Sequence, residues 1–89
     1  MSLDEKFNKA AEDVKNLKNK PTDEELLEIY ALYKQSVIGD CNTDRPGLLD
    51  PKGKAKWDAW NSKKGTPQDS AKETYIAKAN QLVESHGLK

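Results

Sequence analysis

The chain has 89 residues, 35% of them hydrophobic and 34% charged, which is enough for one small domain and too few for two. Fifteen basic residues balance fifteen acidic ones, so the sequence lacks the basic excess typical of broad nucleic-acid binding. The single cysteine excludes an internal disulfide, the charged N-terminus is unlike a signal peptide, and no stretch approaches the roughly 20 apolar residues of a membrane span. We therefore expect one cytoplasmic, monomeric domain over residues 1–89, without stable membrane insertion.

Apolar residues at helical spacing predict a first amphipathic helix near the N-terminus. They fall on one side of a helical wheel, opposite acidic residues and lysines, and are Leu3, Phe7, Ala10, Ala11, Val14 and Leu17. Because the residue before a proline disfavours the helical conformation, we expect this helix to end near residues 19–21.

The second helix has a clear start in the sequence. Thr22 precedes Glu25 by three residues, which is the pattern of a capping box. We expect the helix to run to about Ile38 and to stop at Gly39. Its apolar stripe consists of Leu26, Ile29, Tyr30, Tyr33 and Val37.

Residues 40–51 contain two prolines, a glycine and several Asp and Asn residues, a composition typical of a structured loop. About a dozen residues is long for a connection in so small a domain and favours a crossover. We expect Leu48 and Leu49 to fasten this loop to the core.

Two further helices are predicted from their end signals. A short third helix fits Lys52 to Lys63, with Gly65 closing it and with Trp57 and Trp60 as core anchors. The fourth begins with Thr66 as N-cap and Pro67 at the first helical position, and it ends at Gly87. Its apolar face contains Ala71, Tyr75, Ala79 and Leu82, flanked by Ile76 and Val83. The fold class is therefore all-α, with four helices.

The sequence does not favour catalysis or metal binding. His86 is the only histidine, and neither a P-loop nor a dinucleotide-binding glycine motif is present. The many carboxylates lie on faces that we expect to be solvated. We therefore predict a protein that is not an enzyme and that has no catalytic residue, metal ligand or cofactor.

Lysines and aromatic residues share helix faces in the middle of the chain. Tyr30 and Lys34 lie on one flank of the second helix, and Lys52 and Lys56 face the same way on the third, while Lys54 faces roughly the opposite way. Rings that stack on a base, cations for phosphates and an apolar floor would suit a ligand with a base, phosphates and a hydrocarbon chain.

Plainer readings of the same residues remain open on spacing alone. The lysines are also compatible with snorkelling side chains that cover apolar surface. A small nucleotide- or RNA-binding module would use the same lysines and tyrosines without a lipid groove. A protein-interaction domain would instead expose Trp57 and Trp60 as hot spots.

Three ordered stretches of the sequence resemble the acyl-CoA-binding protein family, also called the diazepam-binding inhibitor family. They are YALYKQ at residues 30–35, RPG at 45–47 and KGKAKWDAW at 52–60, and the likeness extends over essentially the whole chain. The resemblance implies an up-down-down-up four-helix bundle with a long overhand connection between helices 2 and 3. It also implies an intracellular carrier and pool former for medium- to long-chain acyl-CoA esters, with transient contacts to acyl-CoA-using enzymes.

The resemblance also implies which residues hold the ligand. In the family, the residue that matches Tyr33 stacks on adenine, and those that match Lys34 and Lys56 meet the 3′-phosphate region. The other implied ligand-binding residues are Lys15, Tyr30, Ala31, Leu32, Lys52 and Tyr75. The implied lining of the acyl chain is Ala11, Val14, Leu26 and Leu27.

Two positions depart from the family pattern. Pro51 stands where the family more often has a large apolar residue, at the start of the third helix. Cys41 replaces a residue that is usually aliphatic, and we expect it to be a small buried hydrophobe.

Overall fold

The computed structural model describes residues 2–89, which form four α-helices. These are α1 (Leu3–Lys15), α2 (Asp23–Val37), α3 (Pro51–Asn61) and α4 (Gln68–His86). Helix α4 packs against α1 and α2, while α3 packs against α2. A long connection, residues 38–50, joins α2 to α3. The prediction of an all-α, four-helix fold is confirmed.

Side-chain caps fix the starts of the first three helices. The predicted capping box is present at α2, where the Thr22 hydroxyl accepts from the Glu25 backbone N–H at 3.2 Å and the Glu25 carboxylate accepts from the Thr22 N–H at 2.9 Å. Ser2 and Glu5 form the same box at α1, and Asp50 caps α3. These caps satisfy backbone N–H groups that have no partner within their own helix.

The predicted start of α4 is wrong by one residue. Pro67 occupies the N-cap position, and no side chain caps the helix there. Thr66 belongs instead to the turn that closes α3, where its N–H donates to the carbonyl oxygen of Lys63 at 3.0 Å. The turn therefore uses the residue that the sequence pattern assigned to the helix.

Helix α1 is shorter than predicted, because residues 16–18 pair with the end of the chain. Leu17 and Leu88 form an isolated antiparallel bridge, and the Lys18 N–H donates to the Gly87 carbonyl at 2.7 Å. Leu17 is nevertheless buried, as its apolar spacing predicted. The Lys89 N–H donates to the Asn16 carbonyl at 2.9 Å, so the neighbours of Leu17 on both sides bond to the C-terminal tail.

The core lies where α4 faces α1 and α2, and it follows the predicted stripes of α1 and α4 closely. The predicted stripe of α2 is wrong in large part, because of its residues only Ile29 is buried, and the core instead receives Leu32. The buried members of the core are Phe7, Ala10, Leu17, Ile29, Leu32, Tyr75, Ala79 and Leu82, with Ala11, Val14, Ile76 and Val83 packed against them. Val37, predicted as part of the α2 stripe, is 45% exposed. It borders an open depression whose other lining residues, apart from Phe7, are polar, and this leaves its outer side accessible to solvent.

The two tryptophans fasten the connection between α2 and α3. Trp60 is buried, as predicted, and its indole N–H donates to the Gly39 carbonyl at 2.8 Å. Trp57 is only half-buried, so its assignment as a core anchor is wrong in part. Its indole N–H donates to the Thr43 carbonyl, also at 2.8 Å. A two-pronged ion pair at 2.9 and 3.0 Å joins Arg45 to Asp58.

Two apolar residues of the connection do not lie where the sequence placed them. Leu48 is 87% exposed and Leu49 is 100% exposed, so the prediction that they fasten the loop to the core is wrong. Hydrogen bonds between the loop and α3, donated by Arg45 to Asp58 and by Trp57 to Thr43, already fix the loop, and its tip needs no apolar contact with the core. Cys41 is half-buried rather than buried, because it too belongs to this surface segment.

A buried glutamine joins both ends of the α2–α3 pair. Gln35 is completely buried, and its amide donates to the Asp40 carboxylate at 3.0 Å and to the Thr66 carbonyl at 2.8 Å. The same Asp40 oxygen accepts from the Gly65 N–H at 2.8 Å. The residue that follows Lys34 thereby fixes the C-terminal end of α2 against the connections on either side of α3.

No helix within residues 2–89 combines the length and the apolar character that crossing a bilayer would require.

Candidate ligand-binding site

Two adjoining depressions form one groove along α2, because they share Leu26 and Tyr30. The first, the aromatic chamber, has a volume of about 250 Å³ and lies between α1, α2 and α4. Its lining consists of Ala11, Val14, Lys15, Leu26, Ile29, Tyr30, Tyr33 and Tyr75. The second, the lysine chamber, has a volume of about 330 Å³ and lies between α2 and α3. Its lining consists of Lys20, Asp23, Leu26, Leu27, Tyr30, Lys52 and Lys56.

Three aromatic rings from three helices meet in and behind the aromatic chamber. The Phe7 ring lies 5.7 Å from the Tyr33 ring, with 20° between their planes, and 4.9 Å from the Tyr75 ring. Phe7 is buried, whereas Tyr33 is 40% exposed. Tyr33 therefore has rigid support on its inner side and retains an accessible surface, the arrangement that a planar base needs for stacking.

Tyr75 supplies a neutral hydroxyl to the same chamber. Burial, with a smaller contribution from the nearby Tyr33, raises the pKa of Tyr75 to about 12. The phenol is 2% exposed and stays protonated across the ordinary pH range. It can donate a hydrogen bond beside a phosphate without adding negative charge.

Two cation–π pairs hold α3 against α2. Lys56 Nζ lies 5.4 Å from the centre of the Tyr30 ring, and Lys34 Nζ lies 4.9 Å from the Trp60 ring. Along each helix the two participating residues are four positions apart, so the pairs sit about one turn from each other. Lys56 therefore lies beside an aromatic ring of α2 in the lysine chamber, where it is available to an anionic ligand, and Lys34 lies beside an aromatic ring of α3.

Most of the residues that the resemblance implied come together in the groove. These are Lys15, Tyr30, Tyr33, Lys52, Lys56 and Tyr75, together with the apolar residues Ala11, Val14, Leu26 and Leu27. Lys34 is not among the lining residues, and its Nζ lies over the Trp60 ring. Ala31 and Leu32 are 0% and 2% exposed, so their side chains face the interior and not the groove.

Four residues of the site were not predicted: Phe7 as the support of Tyr33, and Lys20, Asp23 and Ile29 as lining residues. Helical spacing could have predicted Asp23 as a lining residue, because it precedes Leu26 by three positions and Leu27 by four and so lies on the same face of α2. Phe7 and Ile29 were assigned to the core stripe, which borders the groove. Lys20 lies outside any helix, so no periodicity places its side chain.

The only histidine of the chain takes part in a helix-to-helix contact. His86 Nε2, at the end of α4, lies 3.2 Å from Glu25 Oε1 at the start of α2. The pKa of Glu25 is lowered, first by the backbone N–H of Thr22 and also by His86. Among residues 2–89, no three His, Cys, Asp or Glu side chains are grouped closely enough to hold a metal ion.

Comparison with known proteins identifies the family of this chain. The model of the acyl-CoA-binding protein family matches residues 4–79. A relative from a species of Hypsibius, which carries the name putative acyl-CoA-binding protein, is 58% identical over 88 residues, which cover 99% of each chain. The crystal structure of Oryza sativa acyl-CoA-binding protein 2 has a TM-score of 0.89 and 40% identity, over 93% of this chain and 90% of that one. The crystal structure of ACBP from Moniliophthora perniciosa has a TM-score of 0.87 and 42% identity, over 100% and 87%. This chain therefore belongs to the acyl-CoA-binding protein family.

Proposed function

We propose that this protein binds medium- to long-chain acyl-CoA esters and acts as a non-catalytic carrier and pool former for them. The observation that carries the proposal is the continuous groove, in which an aromatic surface, several lysines and an apolar floor adjoin. A ligand that uses all three has a base, phosphates and a hydrocarbon chain. Acyl-CoA has this chemistry, and family membership supports it.

The head group is proposed to engage the aromatic and cationic residues. Tyr33 stacks on the adenine, since its ring is backed by Phe7 and exposed on the other side. Lys34 and Lys56 neutralise the region of the 3′-phosphate as compact point charges. The remaining proposed polar contacts come from Lys15, Tyr30, Lys52 and Tyr75. Ala31 and Leu32 are proposed to position their α2 neighbours from within the core, because their own side chains are buried.

The hydrocarbon chain is proposed to lie on the apolar part of the groove. Its lining comprises Ala11, Val14, Leu26 and Leu27. Each buried methylene contributes up to roughly 0.8 kcal/mol, and less where one side remains wet. Affinity should therefore rise with chain length and level off once the groove is filled.

Isothermal titration calorimetry with CoA, acyl-CoAs of increasing length and free fatty acids tests this proposal. We expect the long-chain esters to bind much more tightly than CoA, and the free fatty acids to bind weakly because they lack base and phosphates. Equal affinity for CoA and a long-chain ester would contradict the proposal that the acyl chain binds in the groove. Binding that is independent of chain length would favour a small nucleotide- or RNA-binding module.

Two neighbouring lysines of α3 provide a matched test of the head-group site. Lys56 lines the groove and lies over Tyr30, whereas Lys54 is outside the lining. Lys56→Ala, Tyr33→Ala and Lys34→Ala should each weaken binding of CoA and acyl-CoA alike without unfolding the bundle. Lys54→Ala should leave the affinity unchanged. Wild-type affinity in both Tyr33→Ala and Lys34→Ala would contradict the proposed head-group site.

The carrier role leads to further expectations. We propose that residues 1–89 act as a single acyl-CoA-binding domain, a cytoplasmic monomer that needs no cofactor and that meets acyl-CoA-using enzymes only transiently. Trp60 does not favour a protein-docking role, because its ring is buried and its N–H is bonded to Gly39. Sedimentation velocity with and without an acyl-CoA ester tests the monomeric state.

A further inference from the structure

Residues 86–89 are bonded to the connection between α1 and α2. The Lys18 N–H donates to the Gly87 carbonyl at 2.7 Å, and the Lys89 N–H donates to the Asn16 carbonyl at 2.9 Å. Gly87 makes the turn out of α4 with a φ of 75°, a conformation that residues with a side chain rarely adopt. We call residues 86–89 the C-terminal clasp, because they hold the residues that follow α1.

His86 links the C-terminal clasp to the start of α2. Its carbonyl accepts from the Asn19 side-chain amide at 3.3 Å, and its Nε2 lies 3.2 Å from Glu25 Oε1. The same Glu25 oxygen accepts from the Thr22 N–H at 2.9 Å, as part of the capping box. The clasp therefore contacts the connection on the α1 side and, through the capping carboxylate, on the α2 side.

The residues between these two fixed points, residues 20–23, form one wall of the groove. Lys20 and Asp23 line the lysine chamber, and Pro21 between them is buried. Because Lys20 lies outside any helix, the bonds of the connection decide where its side chain stands. Loosening the clasp should therefore loosen the Lys20 side of this chamber, while the core between α1, α2 and α4 stays packed.

One acidic group faces the His86 ring. Within the part of the chain that the structure describes, Glu25 of α2 is the charged group at ion-pair distance from Nε2. Lys18 of the connection flanks the clasp, and α4 itself contributes Lys78, which lines a small cavity with Glu25, and Glu84, two positions before His86. The contact therefore becomes an attractive charge pair whenever His86 is protonated and Glu25 is ionised.

The two partners of this contact carry opposite charges over only part of the pH range. The pKa of Glu25 is lowered from 4.5, first by a backbone N–H at the helix cap and also by His86, so the carboxylate is ionised above about pH 5. Histidine ordinarily changes its charge between about pH 5 and pH 8. The attraction should therefore be present near the lower of these values, weaken as the pH rises through the range, and disappear below the lowered pKa of Glu25.

We propose that the C-terminal clasp is a pH-sensitive latch on the groove, which a charged His86 closes on Glu25 and a neutral His86 loosens. A closed clasp keeps residues 20–23 in place, so a ligand in the lysine chamber leaves slowly. A loosened clasp lets this wall move and speeds release. The clasp itself rests on contacts of the ligand-free protein; its effect on an acyl-CoA ester rests on the proposed function.

Hydrogen exchange of the ligand-free protein tests the clasp. Protection factors of the Lys18 and Lys89 N–H groups are measured by NMR at about pH 5.5 and about pH 7.5, on either side of the usual histidine transition. Protection factors already correct for the pH dependence of intrinsic exchange. We expect about threefold higher protection at the lower pH, which is the size of a partly exposed ion pair. The Ile38 N–H, bonded to Lys34 at the other end of α2, should not change.

Matched substitutions separate the charge from the helix cap. His86→Gln can still donate to Glu25 but does not titrate, so its clasp should be equally protected at both pH values. Glu25→Gln keeps a side chain that completes a capping box and removes the negative charge, so it should show the same loss of pH dependence. Combining the two should add nothing to either loss. Lys78→Gln, beside Glu25 in the small cavity, is the control and should keep the wild-type pH dependence.

Stopped-flow release of a long-chain acyl-CoA ester tests the effect on the groove. A phosphate monoester such as the 3′-phosphate also titrates at about pH 6, so the measured quantity is the difference between wild type and His86→Gln. Lowering the pH between the same two values should slow release from the wild type about threefold more than release from His86→Gln.

The outcomes separate the clasp, its link to the groove and the proposed function. Equal protection at both pH values in the wild type, or an unchanged pH dependence in His86→Gln, would reject the pH-sensitive clasp. A pH-dependent clasp with no difference in release between wild type and His86→Gln would overturn its link to the groove. Absence of any binding of the ester would contradict the proposed function, and hydrogen exchange of the ligand-free protein would still decide the clasp.

Discussion

Two regions of the bundle are held together by different kinds of contact. In the core half, α4 packs its apolar face against α1 and α2, and side-chain volume fills the interior. In the seam half, directional contacts join α3 to residues 38–50 and to α2. These are two indole N–H bonds to loop carbonyls, the Arg45–Asp58 pair and two cation–π pairs.

Because of this difference, the contacts that stabilise the fold and the contacts that position the ligand-binding lysines belong to different parts of the molecule. Tyr33 and Tyr75 stand on the core half, where neighbouring rings support them. Lys52 and Lys56 stand on the seam half, so their positions depend on how α3 is held. Truncation of a fully buried side chain in the core half should destabilise the whole fold, while a mild change in the seam half should move cations and leave most of the bundle folded.

The largest loss of stability is expected at Trp60, the buried tryptophan of the seam half. Trp60→Ala should lower the free energy of unfolding by about 3–5 kcal/mol, because it removes a buried ring. It also removes the indole bond to Gly39 and the support of Lys34. Trp57→Ala should cost less, since that ring is half-buried. Urea denaturation of both variants measures the difference, and equal losses would contradict the distinction between the two indoles.

The core half should lose stability at alkaline pH. A folded-state pKa of about 12 for Tyr75 exceeds the ordinary value of 10.0, so folding favours the neutral phenol. The resulting stabilisation, about 2–3 kcal/mol, is fully present below pH 10 and is lost as the pH rises toward 12. Tyr75→Phe should lose this part of the alkaline decline.

Absorbance titration at alkaline pH checks the same residue directly. The wild type should show one tyrosine ionising near pH 12, and Tyr75→Phe should lack that step. Tyr33→Phe serves as the control variant and should retain it. A step that persists unchanged in Tyr75→Phe would show that the buried phenol is not the group that titrates late.

A smaller effect is expected from a single hydrogen bond of the seam half. Trp57→Phe keeps an aromatic ring but removes the N–H that donates to Thr43, which should cost about 1 kcal/mol. The loss should appear mainly as faster amide exchange in residues 40–50, with the core half unchanged. Uniformly faster exchange in all four helices would show that the connection and the core open together.

The sequence predicted the core half far better than the seam half. Apolar spacing identified the buried faces of α1 and α4, because a helix that buries one side must repeat its hydrophobic residues about every 3.6 positions. In α2 it identified Ile29 but assigned Tyr30 and Tyr33 to the core, whereas both line the groove. It placed Leu17 in the core even though the backbone there is not helical. The capping-box pattern likewise predicted the N-cap of α2 at the correct residue, Thr22.

Residues of the seam half carried no such periodic signal. Leu48 and Leu49 were assigned to the core on hydrophobicity alone, but hydrogen bonds from α3 hold the loop and leave them exposed. Those bonds join residues 14 or more positions apart, such as Trp57 to Thr43 and Trp60 to Gly39. Their partners are backbone carbonyls, which any residue supplies, so neither spacing nor composition points to them.

The groove was predicted only in part from the sequence. Family resemblance supplied the lysines and tyrosines, and helical spacing placed Tyr30, Leu26 and Leu27 on neighbouring flanks of α2. The role of Phe7 depends on the distance between two rings on different helices, which the sequence does not contain. The exposed side of Tyr33 follows from the same tertiary packing.

The smallest effect concerns the acid side of the pH range and belongs to the seam half. The Gly65 N–H and the Gln35 amide lower the pKa of Asp40 below its usual 3.8, and the Arg45 side chain does the same for Asp58. A carboxylate whose folded-state pKa is lowered stabilises the protein above its usual pKa, and this contribution disappears as the pH falls through the lowered value. Both groups are exposed, so solvent keeps their contributions small.

Asp40→Asn should therefore be slightly less stable than the wild type near neutral pH and should lose less stability on acidification between about pH 5 and pH 3. Urea denaturation across this range measures the change. Asp44→Asn, an exposed position in the same connection, is the control. If Asp44→Asn reduced the loss of stability at acidic pH as much as Asp40→Asn does, general charge repulsion would explain the acid sensitivity better than the hydrogen bonds of Asp40. If only Asp40→Asn does so, the hydrogen bonds that this carboxylate accepts from Gly65 and Gln35 account for acid sensitivity in the seam half.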